Sequence, residues 1–255
     1  MIQKLKDFLK KLYFYLLELQ VMLKTFWWKL TGGKYPDYKS IPIIINNFNR
    51  LDTLKKLIGS LESRGYNNII ILDNDSTYPP LLEYYKSIQY EVVYLGANVG
   101  FLALWKTDQY KRFKKSFYVY TDSDVVIDEQ CPDDFMKLFL DTLKEKPACM
   151  KVGFGIRIDN IPDYYKEKDS VIWWEKQYWQ EKEGEYLYKA RIDTTFALYR
   201  PYCKGGSSAH LVYRTGNPYV IQHLPWYQDT ENLTEEEQYY INHTKKSTFW
   251  TGRLK

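Results

Sequence analysis

Three cysteines in 255 residues are too few for a disulfide scaffold. Cys131, Cys149 and Cys203 show no Cys-x-x-Cys or Cys/His ligand spacing, which argues against zinc and fits a reducing compartment. Histidine is equally scarce, at three. Thirteen Gly and ten Pro are too few for a collagenous or low-complexity chain. Long apolar runs are missing too. The best stretch, Leu12 to Leu23, falls short of the roughly 20 residues a membrane-crossing helix needs, and it contains Glu18. No small-residue cleavage site follows it, so a secretory signal is not expected. Charge of one sign is not in excess, with 36 Lys and Arg against 32 Asp and Glu. The chain lacks the broad basic face of a general nucleic-acid binder, and no nucleic-acid partner is expected.

Aromatic residues are abundant, at 18%, with 25 Tyr and 8 Trp. Such rings fill cores and also stack on flat, partly polar ligands such as sugar rings. A hydrophobic fraction of 45% over this length supports a sizeable core, in one large domain or two small ones.

Positive charge collects in a tail. Residues 1–36 hold seven Lys against Asp7 and Glu18, a net of +5, which leaves −1 on the rest of a +4 chain. Ile2, Leu5, Leu9, Leu12, Leu16, Leu19, Leu23, Phe26 and Leu30 recur at alternating steps of three and four, which predicts a helix with an apolar stripe. Lys4, Lys10, Lys11 and Lys24 are expected on the other side, and Gly32, Gly33 and Pro36 stop the helix. Residues 1–36 are therefore read as a basic amphipathic helix. It suits a membrane surface met by residues 1–30, or docking and self-association.

Residues 37–255 form the body. Ile41–Ile45, Asn68–Leu72, Glu91–Leu95 and Ser116–Tyr120 read as strands, separated by helical stretches at Leu51–Ser63, Pro79–Ile88 and Phe101–Tyr110. This alternation predicts an α/β fold with a mixed, mainly parallel sheet and flanking helices. In such sheets ligands bind beyond the carboxyl ends of the strands. All four strand ends carry Asn, Asp, Ser or Gly. Further on, helices are expected at Asp133–Lys144 and Thr234–His243, the latter with Thr234 and Glu237 as a capping box. Strands are expected at Ala148–Ile158, Arg191–Tyr199 and Tyr219–His223. Asp159–Gly184 reads as irregular and Gly205–Ser208 as a flexible turn.

Asp122-Ser123-Asp124 follows the fourth strand. Two carboxylates one residue apart can share a divalent cation with a diphosphate, and hard oxygen ligands suit Mn²⁺ or Mg²⁺. Four ordered segments then stand out: Ile43-Ile44-Ile45-Asn46-Asn47-Phe48-Asn49-Arg50, Ile70-Ile71-Leu72-Asp73-Asn74-Asp75-Ser76, Gly96-Ala97-Asn98-Val99-Gly100-Phe101 and Thr121-Asp122-Ser123-Asp124. With these, residues 41–130 resemble the nucleotide-sugar-binding half of a GT-A glycosyltransferase, similar to family 2 enzymes. The resemblance implies a Rossmann-like GT-A fold, with residues 37–130 binding donor and 131–255 binding acceptor. It implies a UDP- or GDP-sugar donor, with Asn47, Asn49 and Asp73 around the base and Arg50, Gly100 and Ser123 also binding donor. Asn98 would approach the ribose or phosphates, and Asp122 the ribose and metal. Asp122 and Asp124 would hold the metal, and a late His such as His223 would be a further ligand, although a packed His beside Trp226 is the other reading. His210 and His243 are expected to be structural.

An inverting transfer needs a carboxylate base to take the acceptor proton. Asp193 is the first candidate and Asp229 the second. Trp173, Trp174 and Trp179 lie in a charged stretch, and Trp226 follows His223; their faces are candidates for stacking on acceptor sugars. The functional expectation is a metal-dependent hexosyl- or N-acetylhexosaminyltransferase acting on a glycan or lipid-linked saccharide, cytoplasmic and peripheral at a membrane face, as in polysaccharide biosynthesis. Two alternatives remain open. One is a haloacid-dehalogenase-like phosphohydrolase, because Tyr118–Val126 also resembles that aspartate-nucleophile motif. The other is a non-catalytic sugar-binding protein.

Overall fold

The structure, a computed structural model, describes residues 2–205 and 211–244. His210 and most of the expected turn at Gly205–Ser208 lie outside the described residues. A long helix α1 (Ile2–Leu30) leads into the body. There follow β1 (Ile43–Asn47), α2 (Asp52–Glu62), β2 (Ile69–Asp73), α3 (Pro79–Tyr85) and β3 (Glu91–Tyr94). Two short helices, α4 (Ala103–Lys106) and α5 (Tyr110–Phe113), precede β4 (Tyr118–Asp122) and β5 (Val125–Ile127). The second half holds α6 (Phe135–Glu145), β6 (Lys151–Ile156), α7 (Lys168–Glu175), β7 (Leu187–Tyr188), β8 (Ala197–Tyr199), β9 (Val212–His223) and α8 (Glu235–His243).

One sheet joins these strands in the order β3-β2-β1-β4-β8-β6-β9-β5, with β7 also pairing β9. β3, β2, β1 and β4 run parallel. β8 is antiparallel to both β4 and β6, and β9 is parallel to β6. The β-branched runs sit on the parallel strands because those strands are covered on both faces. Ile43, Ile45, Ile69 and Ile71 pack with Leu54, Leu57 and Leu61 of α2 and with Phe135 and Phe139 of α6. Alternate residues Ile44, Ile70, Leu72, Tyr118 and Tyr120 pack on the opposite face with Leu104, Tyr110 and Phe113. The result is a curled mixed sheet with flanking helices, compatible with a Rossmann-like fold.

Several elements differ from expectation. The helix expected over Phe101–Tyr110 is split into α4 and α5. Asp159–Gly184 contains α7 and a 3₁₀ turn at Lys176–Trp179. Glu175 of α7 is buried against Arg214 of β9 at 2.7 Å, a tie invisible to hydrophobic periodicity. The strand expected at Arg191–Tyr199 shortens to β8. β9 extends from Val212, through Gly216 and Pro218, which read as strand breakers in sequence.

α1 touches the body through one narrow face. Val21, Thr25 and Trp28 are buried. Trp28 sits edge-on to Tyr35 and Phe117, both 5.3 Å away, and its Nε1 donates to the Lys115 carbonyl at 3.1 Å. Gly33 is needed here, since a Cβ would lie 2.2 Å from the Trp28 ring. Among the described residues no helix is long and apolar enough to cross a membrane.

Candidate active site

Register brings the first motifs together. Asn47 at the end of β1 is the strand partner of Asp73 at the end of β2, and Asn46 is the partner of Asp122 at the end of β4. Adjacent strands lie about 4.8 Å apart, so these residues form one row along the carboxyl edge of the parallel strands. The Gly96–Phe101 loop is drawn to the same edge. Asn74 Oδ1 accepts from Val99 N at 2.8 Å, and its Nδ2 donates to the Gly100 carbonyl at 3.1 Å. Gly100 has φ +82°, which side-chain-bearing residues rarely adopt. Asn98 is exposed at the tip of this loop, and its Oδ1 accepts from Gly100 N at 3.0 Å.

Much of the row holds itself in place. Ser123 Oγ donates to Asn47 Oδ1 at 2.6 Å; Asn47 Nδ2 donates to Tyr85 Oη at 2.7 Å; Tyr85 Oη donates to Asp73 Oδ1 at 3.2 Å. Asp73 Oδ2 accepts from Ser76 N at 3.0 Å. Asn49, with φ +53°, accepts from Thr77 N and Tyr78 N on Oδ1. Asn47, Asn49, Asp73 and Ser123 are all buried, so they shape the loops of the expected donor site. Arg50 departs from its expected donor contact. Its guanidinium is buried in an ion pair with Glu237 and stacks 3.8 Å from the Tyr240 ring centre, because burial of an unpaired Arg is prohibitive.

The second half supplies the other wall. Asp122 N donates to the Thr194 carbonyl at 3.1 Å, and Thr194 Oγ1 donates to the Asp122 carboxylate. Leu224 N donates to the Asp124 carbonyl at 2.8 Å, and β5 pairs Val125 with His223. His223 Nε2 thereby stands 3.6 Å from Asp124 Oδ2. Burial, with the negative charges of Asp124 and Asp193, pushes the Asp122 carboxyl well above its ordinary value. Burial works against Asp124 as well, yet His223 and Arg50 hold it below the usual range.

Asp122 and Asp124 are carboxylates whose charges act on each other, a pair that a divalent cation would neutralise. Among the described residues no three His, Cys, Asp or Glu groups make a preformed metal cage. A Mg²⁺-like ion needs none, since it commonly takes one or two carboxylates with substrate phosphates. Asn46 Oδ1, Asn49 Nδ2 and His223 Nδ1 are buried polar atoms without a hydrogen-bond partner among the described residues, all near the same edge. The donor set is compatible with Mn²⁺ or Mg²⁺ at Asp122 and Asp124.

Asp193 is exposed, next to Thr194, and its charge acts on Asp122. Asp229 is turned into its own loop, accepting from Glu231 N at 2.9 Å and Asn232 Nδ2 at 2.8 Å. Trp173 and Trp174 are exposed on α7. Trp226 corrects the expectation of an acceptor wall. It is 2% exposed and packs on His223 at 4.8 Å, because the turn after β9 folds its ring inward. Trp179 is half-buried against Tyr188.

Three residues escaped the sequence reading. Asn46 and Thr194 both hydrogen-bond Asp122. Lys151 donates from within the core to the Ile192 carbonyl at 2.9 Å and the Asp193 carbonyl at 3.4 Å. Asn46 was legible as the neighbour of Asn47 on the other face of β1; nothing in sequence marked the other two. No family model matches the chain, and no curated protein matches it.

Proposed function

We propose that the chain is a metal-dependent GT-A glycosyltransferase. On this reading it moves a hexosyl or N-acetylhexosaminyl group from a nucleotide sugar, UDP-sugars first, to a glycan or lipid-linked saccharide at the cytoplasmic face of a membrane. The observation that supports the reading is the position of Asp122 and Asp124 at the carboxyl end of the parallel strand β4, with His223 3.6 Å from Asp124 and the charge of Asp193 acting on Asp122. The four ordered motifs support it from the sequence side.

The acceptor oxygen attacks the anomeric carbon while the bond to the nucleoside diphosphate breaks. Asp193, an exposed carboxylate whose charge acts on Asp122, would accept the hydroxyl proton if the transfer inverts. A divalent ion, when bound, neutralises the charge left on the diphosphate. Asp122 and Asp124 would hold it; Thr194 and Asn46 orient Asp122, and His223 with Arg50 keeps Asp124 charged. Asn98, at an exposed loop tip, would meet the ribose or phosphates. Trp173 and Trp174 offer faces for acceptor sugars. The phosphohydrolase alternative is less well supported, because that family carries the Asp-x-Asp-x-Val motif on its first core strand and here β1, β2 and β3 precede it.

The test is UDP-sugar hydrolysis with and without Mn²⁺, in wild type and Asp124→Ala. The expected result is ion-dependent turnover that falls at least about a hundredfold in the variant. Equal, ion-independent turnover in both proteins rejects the reading. Donor binding with no turnover on any acceptor assigns the site to sugar binding alone, and a beryllofluoride adduct on Asp122 assigns it to phosphoryl chemistry.

A further inference from the structure

The leucine stripe of α1 faces away from the protein. At 100° per residue, Leu12 and Leu16 lie on the side opposite Val21 and Trp28, the residues that meet the body. Leu12 is 41% exposed and Leu23 is 57% exposed. Phe8, Tyr15, Phe26 and Trp27 broaden this surface and are exposed as well. It is wider than the two-position seam of a coiled coil. Residues 5–13 are exposed all round, so this stretch buries no apolar side chain on the described domain. A helix segment of that length is marginal in water without a partner for its apolar side.

Charge indicates which partner. The helix carries six Lys against Asp7 and Glu18. The same 100° rotation places Lys11 and Lys29 along one margin of the apolar surface, and Lys6 and Lys24 along the other. Two copies packed on this face would bring lysine margins together, which is unfavourable. Lys34 and Lys115 add positive charge at a cleft of about 330 Å³ beside the end of the helix. Lysine stems can lie along apolar surface while their ammonium groups reach phosphates.

We propose that α1 lies flat in the headgroup region of an anionic bilayer, with Leu12, Leu16, Leu19 and Leu23 in the acyl boundary and the lysine margins on lipid phosphates. Trp27 occupies the level that amphipathic rings favour. This names the surface behind the membrane location proposed above, and it does not depend on the transfer chemistry.

The experiment is flotation of the full chain with phosphatidylcholine vesicles, with and without phosphatidylglycerol, in the absence of donor and acceptor. Sedimentation velocity without lipid runs alongside. The chain is expected to float with anionic vesicles and to lose at least about tenfold in partitioning without the anionic lipid. Leu12→Ser with Leu16→Ser should lower partitioning at least about tenfold, with an unchanged melting temperature because neither residue packs on the body. Lys11→Glu with Lys29→Glu should lower it on anionic vesicles alone. Failure of the wild type to float overturns the proposal, as does flotation of the leucine variant at the wild-type level. A dimer that the leucine variant loses, without vesicle binding, would assign the stripe to a second copy. Because flotation is read without turnover, loss of the glycosyltransferase reading leaves this result standing, and the reverse.

Discussion

Lys151 sets a buried ammonium against three neutral oxygens: the Ile192 carbonyl at 2.9 Å, Tyr199 Oη at 3.1 Å and the Asp193 carbonyl at 3.4 Å. Burial lowers its pKa to about 7, with Asp193 opposing the shift. In the unfolded chain a Lys titrates near its ordinary value of about 10.4. Between these values the unfolded state binds the extra proton, so stability contributed by this residue rises with pH across that window. The slope is at most about 1.4 kcal/mol per pH unit. Urea midpoints at pH 7 and pH 9 test it: wild type should gain relative to Lys151→Met, which cannot titrate. Parallel behaviour of the two proteins would reject the argument. Tyr85 makes a second residue-scale case. It joins Asn47 to Asp73, and burial with the Asp73 charge raises its pKa so that it stays a proton donor. Tyr85→Phe strands both partners in the interior and should cost about 1–3 kcal/mol in denaturant unfolding. These roles could not be read in advance. A lone Lys or Tyr in an apolar run looks the same whether it faces core, solvent or a backbone carbonyl.

At the scale of elements, α8 acts as a clamp on Arg50 and the start of α2. Thr234 Oγ1 accepts from Glu237 N at 3.2 Å, as its N-cap position predicts. The Glu237 carboxylate does not complete the capping box; it pairs with Arg50, while Glu236 accepts from Leu51 N and Asp52 N at 2.6 and 2.7 Å. A helix 185 residues away thus satisfies orphan donors at the start of α2. Glu237→Ala leaves Arg50 buried and unpaired, a loss of about 3–5 kcal/mol. Calorimetry should show melting lowered by roughly 10 °C; a change within a degree or two would mean the pair contributes little. The first half of the body was legible because β1 and β2 are buried on both faces and need unbroken β-branched runs such as Ile43-Ile44-Ile45 and Ile69-Ile70-Ile71. The second half was legible only in part. β6 and β9 bury Lys151, Arg214 and Thr215 by pairing them, so polarity there no longer reports exposure. The site followed the same division: the Asp122–Asp124 edge was visible as a motif, whereas Thr194 reached it only through tertiary contact.

For the whole molecule, the two proposals together fix a distance. Trp28 of α1 packs on Phe117, just before β4 begins, and Asp122 is where β4 ends. Glu18 lies within electrostatic reach of Tyr213, the second residue of β9. β9 runs parallel to β6, and β6 runs in the sense of β4 through their shared antiparallel neighbour β8. α1 therefore passes beneath the amino ends of these strands, the edge opposite the carboxylates. Five residue steps from Phe117 to Asp122 span roughly 17 Å. With α1 on a bilayer and β4 directed away from it, the candidate edge stands roughly that far from the helix. A lipid bearing one sugar cannot bring its hydroxyl to Asp193, whereas a longer saccharide can. Activity on lipid-linked acceptors in vesicles should therefore begin only above a threshold saccharide length. In detergent, where the acceptor can tilt and leave the surface, the threshold should disappear. Equal use of single-sugar and long acceptors in vesicles would show that the transfer edge lies close to the membrane, and would refute this orientation even if α1 binds lipid.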